Sequence, residues 1–173
     1  MKRFIVLSIV LLMLAGFAIT SSAATLPDPL PLPTTVTLFA GQTLDVGTLT
    51  VAVSGDNLVV TYDITGSGWE LLETHLYVGD EQPTKSAPGL FPYGPDDATD
   101  GQYIRVYTID LEDFTGTLYI AAQAEIGMVD EFGDPICYEG TDVQIEETAW
   151  AEGTQIRTGK NWATYFAVVV PAL

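Results

Sequence analysis

Apolar and polar residues alternate with a period of two from Thr34 onward, in segments separated by short breaks rich in glycine and aspartate. This pattern restricts the fold more than any other feature of the chain. Side chains of an extended strand point to opposite faces in turn, so alternation builds a strand with one apolar face; an amphipathic helix needs a period of about 3.6. Leu49, Val51 and Val53 share one face, Ser54-Gly55-Asp56-Asn57 supplies a turn, and Leu58, Val60, Tyr62 and Ile64 align after it. This is a predicted β-hairpin. Residues 103–111 and 117–126 repeat the pattern. Ile104 and Val106 oppose Tyr103, Arg105 and Tyr107 in the first; Leu118, Ile120, Ala122, Ala124 and Ile126 oppose Tyr119, Ala121, Gln123 and Glu125 in the second. Residues 142–148 predict a short strand. Residues 161–170, apolar on both faces, suit a central strand ended by Pro171.

Between these segments, residues 79–102 carry Pro83, Pro88, Pro92 and Pro95, which no regular strand tolerates. Residues 127–140 are acid-rich and loop-like. The sum is an all-β domain of seven to eight strands, an antiparallel β-sandwich of jelly-roll or immunoglobulin-like kind. A length of 173 residues fits one such domain, placed at residues 36–171.

The start of the chain reads differently. Lys2 and Arg3 precede the apolar residues 4–19, followed by Thr20-Ser21-Ser22-Ala23-Ala24. Residues 1–24 therefore predict a secretory signal peptide, with an uncleaved membrane anchor as the alternative. Residues 25–35 are proline-rich and predict a stiff extended spacer. The expected location is secreted or cell-surface, with no stable membrane span once the leader is removed. The chain carries 6 basic and 23 acidic residues, and losing Lys2 and Arg3 with the leader takes the formal charge from −17 to −19. Such a field repels phosphates, which argues against nucleic acid and anionic lipid as partners. The lone Cys137 excludes an intrachain disulfide.

Six phrases carry a resemblance. They are Phe39-Ala40-Gly41-Gln42-Thr43 with Val46-Gly47-Thr48, Thr74-His75-Leu76-Tyr77-Val78-Gly79, Ala87-Pro88-Gly89-Leu90-Phe91-Pro92-Tyr93, Tyr119-Ile120-Ala121-Ala122, Glu147-Thr148-Ala149-Trp150-Ala151-Glu152-Gly153 and Gly159-Lys160-Asn161-Trp162-Ala163. Over residues 36–170 the chain resembles an uncharacterised family of secreted or cell-surface microbial β-rich domains. That resemblance implies an extracellular β-domain and brings no activity or catalytic residue with it. The acidic residues 130–134 and Cys137 have no place in its pattern.

Four candidate sites follow from the residues. In an unbroken strand, residues 69–78 put Leu72, Leu76 and Val78 on the core face and Trp69, Glu73, His75 and Tyr77 on the outer one. Tyr103, Arg105, Tyr107 and Tyr119 extend this outer face if their strands lie alongside. Aromatic planes beside carboxylates and amides suit a sugar, which stacks its C–H faces and hydrogen-bonds its hydroxyls. Aromatic packing over the sheet, or cover by residues 79–102, is the competing reading. The second candidate is calcium at Asp96, Asp97 and Asp100, or at Asp130, Glu131 and Asp134. Clustered oxygens suit that ion, but neither group has a calcium-loop spacing, and solvated turns account for both. No other cofactor is indicated.

The third is a carboxylate pair for hydrolysis. Glu70 and Glu73 differ in parity and face opposite ways on a regular strand, as do Glu146 and Glu147, so no pair is favoured. The fourth is Trp150 with Trp162, flanking Lys160 and Asn161; Trp150 serves either as an end plug or, exposed, as a binding anchor, and Lys160 pairs with Glu147 or Glu152. The functional expectation is a non-catalytic binding or adhesion module for a glycan or surface polymer. The alternatives are a structural envelope or surface-associated protein and, behind it, a glycan-active hydrolase.

Overall fold

The computed structural model describes residues 26–99, 101–112, 114–159 and 161–171. The leader at residues 1–24, Asp100 and Lys160 lie outside the described residues. Ten strands form one sheet: β1 (Leu30–Pro31), β2 (Thr34–Ala40), β3 (Leu44–Ser54), β4 (Asn57–Asp63), β5 (Trp69–Gly79), β6 (Ile104–Asp110), β7 (Gly116–Met128), β8 (Glu146–Ala151), β9 (Thr154–Gln155) and β10 (Thr164–Val170). The protein is all-β, as its alternation requires. Two of the ten strands are two-residue pieces, which leaves eight of ordinary length. Among the described residues no helix is long and apolar enough to cross a membrane.

The backbone order is β1-β10-β7-β8-β2-β3-β4-β6, with β5 along the other edge of β7 and β9 beside β10. All pairs are antiparallel except β1 with β10. That exception revises the spacer. Residues 30–35 do not stand clear of the domain: Leu30 and Pro31 pair with Val168 and Val169, Leu30 and Leu32 pack on the core, and β2 already begins at Thr34.

The β3–β4 hairpin forms where its turn residues place it, with Ser54 opposite Asn57 and Gly55 at positive φ. Gly47 has a different task. Opposite Leu38 the β2–β3 ladder shifts register, and a Cβ on Gly47 would lie 2.2 Å from the Asp63 carbonyl oxygen. Only glycine admits the neighbouring backbone that close.

One hydrophobic core takes residues from nearly the whole sheet. Leu49, Val60, Leu76, Ile120 and Val168 are wholly buried and belong to one cluster, so the sheet curls over its own apolar face. The free edges of β5 and β6 are covered by the segment between them. Leu76 and Tyr93 exchange both backbone bonds, the Leu71 N–H donates to the Gln102 carbonyl, and the Thr99 N–H donates to the Val106 carbonyl. An uncovered edge would offer pairing sites to other chains.

Candidate functional site

A bulge in β5 decides which side chains reach the outer surface. Leu71 pairs with Ile126 and Glu73 with Glu125, leaving Leu72 without a partner. One extra residue reverses parity beyond it. Trp69 and Leu71 therefore point to the core on one side of the bulge, and Thr74, Leu76 and Val78 on the other. Two expectations change. Trp69 is buried at 8% exposure and does not join Glu73, His75 and Tyr77. Leu72 is the bulged residue and not a core position. The same reversal puts Glu70 and Glu73 on one face, where an unbroken strand would separate them.

β6 inverts the expected orientation. Tyr107 and Ile109 are buried, while Ile104 is 45% exposed. The Tyr107 hydroxyl donates to the Thr74 carbonyl at 2.9 Å, so Thr74 Oγ1 is the donor in their 2.8 Å contact. With no exposed surface, Tyr107 cannot touch a ligand. Arg105 serves the bulge: its Nη2 donates to the Leu71 and Leu72 carbonyls at 2.9 and 3.0 Å, and its Nε to Gly101 at 3.3 Å. Tyr103 lies apart, lining a 420 Å³ hollow with Gly66, Gly68 and residues 129–133.

Glu73, His75, Tyr77 and Tyr119 remain on the outer face. His75 Nε2 is 3.1 Å from Glu73 Oε1. The Tyr77 hydroxyl donates to the Glu81 carbonyl at 2.7 Å, and burial, with Asp80 and Glu81 nearby, raises its pKa. Tyr119 packs on Tyr165, centroids 6.1 Å apart. Glu70 accepts from the Gln102 and Gln144 side-chain amides at 2.9 and 2.8 Å, which occupies both carboxylate oxygens.

Cross-strand register adds what alternation alone could not. His75 of β5, Gln123 of β7, Trp150 of β8 and Phe39 of β2 stand in one row. Trp150 belongs to strand β8, not a loop, and is 5% exposed. Its ring meets Trp162 at 6.4 Å and Phe91 at 6.1 Å, both edge to face. Beside it opens a cleft of 210 Å³, bounded by Phe39, Gln42, Gln155, Glu152, Trp162 and Thr164. A second hollow continues it over Gln42, Gln155, Gly159, Asn161 and Trp162. Trp162 is only half-buried and stands between the two.

Phe39, Gln42, Phe91, Gln123 and Gln155 are not among the candidate site residues that the sequence offers. Only Gln123 left a signal there, a long polar side chain amid Ile120, Ala121, Ala122 and Ala124. The chain matches no protein-family model, no curated protein and no solved structure. The chemistry of this face rests on its own residues.

Among the described residues no three carboxylate, imidazole or thiol side chains are grouped to hold a metal ion. Asp97 Oδ2 accepts the Gly94 N–H at 2.8 Å, which makes it a cap of the 3-10 turn Pro95–Asp97. Asp130 Oδ1 accepts the N–H groups of Phe132 and Asp134, closing its own loop. Cys137 is partly buried, opposite Gln144.

Proposed function

We propose that this protein is a non-catalytic binding module, acting outside the cell or at its surface, that takes carbohydrate in the cleft beside Trp150 and Trp162. The observation that carries the reading is the lining of that cleft. Two indoles set edge to face adjoin the amides of Gln42 and Gln155, the Thr164 hydroxyl and the Glu152 carboxylate. Indole faces take the C–H side of a sugar ring, and amides both donate to and accept from hydroxyls. The continuation of the cleft past Trp162 toward Asn161 favours a chain of sugars over a single ring.

The extracellular placement rests on the reading of residues 1–24 as a signal peptide. We read the curled sheet as an antiparallel β-sandwich, with the cleft on its outer face. The non-catalytic reading is supported by the lining, where among the described residues Glu152 is the one carboxylate and no imidazole or thiol accompanies it. Hydrolysis of a glycosidic bond needs two carboxyl groups across the scissile bond.

Binding of cello-, malto-, xylo- and mannohexaose by isothermal calorimetry tests the proposal. At least one should bind, and Trp162→Ala should weaken that binding at least tenfold while leaving the melting temperature within a few degrees. Failure of all four to bind, or equal binding by the variant, overturns the reading.

A further inference from the structure

Gln123 is 1% exposed, and its side-chain Oε1 has no hydrogen-bond partner among the described residues. Leaving a buried acceptor unpaired costs about 1–3 kcal/mol, so native proteins rarely do so without a use for the group. Its place in the sheet says where that use lies. Gln123 stands between His75 and Trp150 in the cross-strand row, and residues directly opposite one another share a face. The amide therefore lies on the outer face and not toward the main core.

Phe91 covers this part of the face. Its ring is 6.0 Å from that of Tyr77 on one side and 6.1 Å from that of Trp150 on the other. Tyr77 is opposite Ala121 and Trp150 opposite Gln123, so Phe91 spans β7 where the small Ala121 leaves room for a ring. The six residues 87–92 that carry it form an arch between two fixed ends. Before the arch, Arg157 donates twice to the Thr84 carbonyl and the Asn161 amide donates to Ser86 Oγ. After it, Tyr93 is bonded to Leu76 through both backbone groups. Within the arch, the Leu90 and Phe91 N–H groups bond back to Ala87 and Pro88. Among the described residues no backbone hydrogen bond ties residues 87–92 to the sheet, the Phe91 ring packs down on it, and Leu90 faces water at 63% exposure.

We propose that the face beneath Phe91 is a second subsite for a hydroxyl-bearing ring, with Gln123 Oε1 as the acceptor for a ligand hydroxyl and Trp150 as the platform. It opens when the arch of residues 87–92 lifts. Trp150 touches both Phe91 and Trp162, so this subsite joins the open cleft end to end and lengthens the binding track. The inference rests on the carbohydrate reading above. In the closed state part of the binding energy goes into lifting Phe91, and the apparent affinity is the intrinsic affinity multiplied by the fraction of molecules that are open.

The four hexasaccharides are titrated into the wild type, Phe91→Ala, Phe91→Leu, Trp162→Ala and the double variant Phe91→Ala/Gln123→Leu, each checked for a cooperative thermal transition. The expected result is that a hexasaccharide bound by the wild type binds Phe91→Ala at least tenfold more tightly. Phe91→Leu should gain less, and Gln123→Leu should return the double variant to the wild-type level. Wild-type binding that is lost in Trp162→Ala but not tightened by either Phe91 variant overturns the second subsite and leaves the carbohydrate reading standing. A gain that survives Gln123→Leu also overturns it, because Gln123 is then not the acceptor. Absence of binding in every protein overturns the carbohydrate reading and this inference with it.

Discussion

Tyr62 and Tyr107 tie β4 and β6 to β5 across the core. Both are wholly buried, their rings 5.9 Å apart, and their hydroxyls reach across the core to the His75 and Thr74 carbonyls of β5. A phenol without water around it resists ionisation. Burial is the leading cause that raises both pKa values, with the charge of Tyr107 adding to the rise at Tyr62 and the Thr74 hydroxyl opposing the rise at Tyr107. Below pH about 10, the unperturbed tyrosine value, folded and unfolded chains both keep these protons and the stabilisation is complete. Above it the unfolded chain releases protons that the folded chain retains, so stability declines as pH rises toward the folded values. Alkaline titration followed by ultraviolet absorbance should show a group of tyrosines that ionise only as the fold is lost. Tyr62→Phe and Tyr107→Phe should each remove one of them. Smooth titration of all eight tyrosines in a folded protein would contradict the placement of both hydroxyls.

Among the elements, β5 departs furthest from its alternation, and one residue is the cause. Leu72 is apolar and sits where period two expects a core residue, yet the ladder skips it. Nothing local marks the skip, because Leu71 and Leu72 are interchangeable to a pattern of apolar and polar letters. What selects Leu71 is remote in sequence: the Arg105 guanidinium on β6 binds the carbonyls of both leucines and fixes the bulge. By contrast, the β3–β4 hairpin and the apolar face of β7 were legible, since a turn and a long regular alternation are local information. β6 misled for another reason. Ile104 and Val106 looked like core, but the two-residue period gives no sign of which face turns inward, and Tyr107 can hide its hydroxyl only because β5 supplies a partner. Arg105→Ala leaves three carbonyls without their charged donor, and about 2–3 kcal/mol of stability should be lost in urea denaturation. Deleting Leu72 removes the bulge yet leaves Trp69, Leu71, Thr74, Leu76 and Val78 on one face of a regular strand, so the cooperative transition should survive, at a cost of about 1–3 kcal/mol for the Arg105 contact it disturbs. Leu72→Thr keeps the count of residues and should cost about 1 kcal/mol or less. A deletion variant that no longer unfolds cooperatively would show that Leu72 is not the surplus residue of β5.

For the whole molecule, charge is the property that the fold leaves uncompensated. Among the described residues the one contact between a basic and an acidic side chain is His75 with Glu73, and Arg105 and Arg157 direct their guanidinium groups to backbone carbonyls. The acids are therefore held apart mainly by distance and water. A compact state with a formal charge of −17 repels itself more than an expanded one does, so folding works against its own field. Raising sodium chloride from about 0.01 M to about 1 M shortens the screening length from about 30 Å to about 3 Å. That should stabilise the fold by about 1 kcal/mol or more, a melting temperature higher by about 2–4 °C. Chloride is the right anion for the test, because sulfate would also strengthen apolar burial and blur the cause. A charge-neutral osmolyte at matched concentration serves as the control and should not reproduce the salt dependence. A melting temperature that stays flat or falls with sodium chloride would mean that the acidic surface does not oppose folding, and that the carboxylates find stabilising partners in solution without added salt.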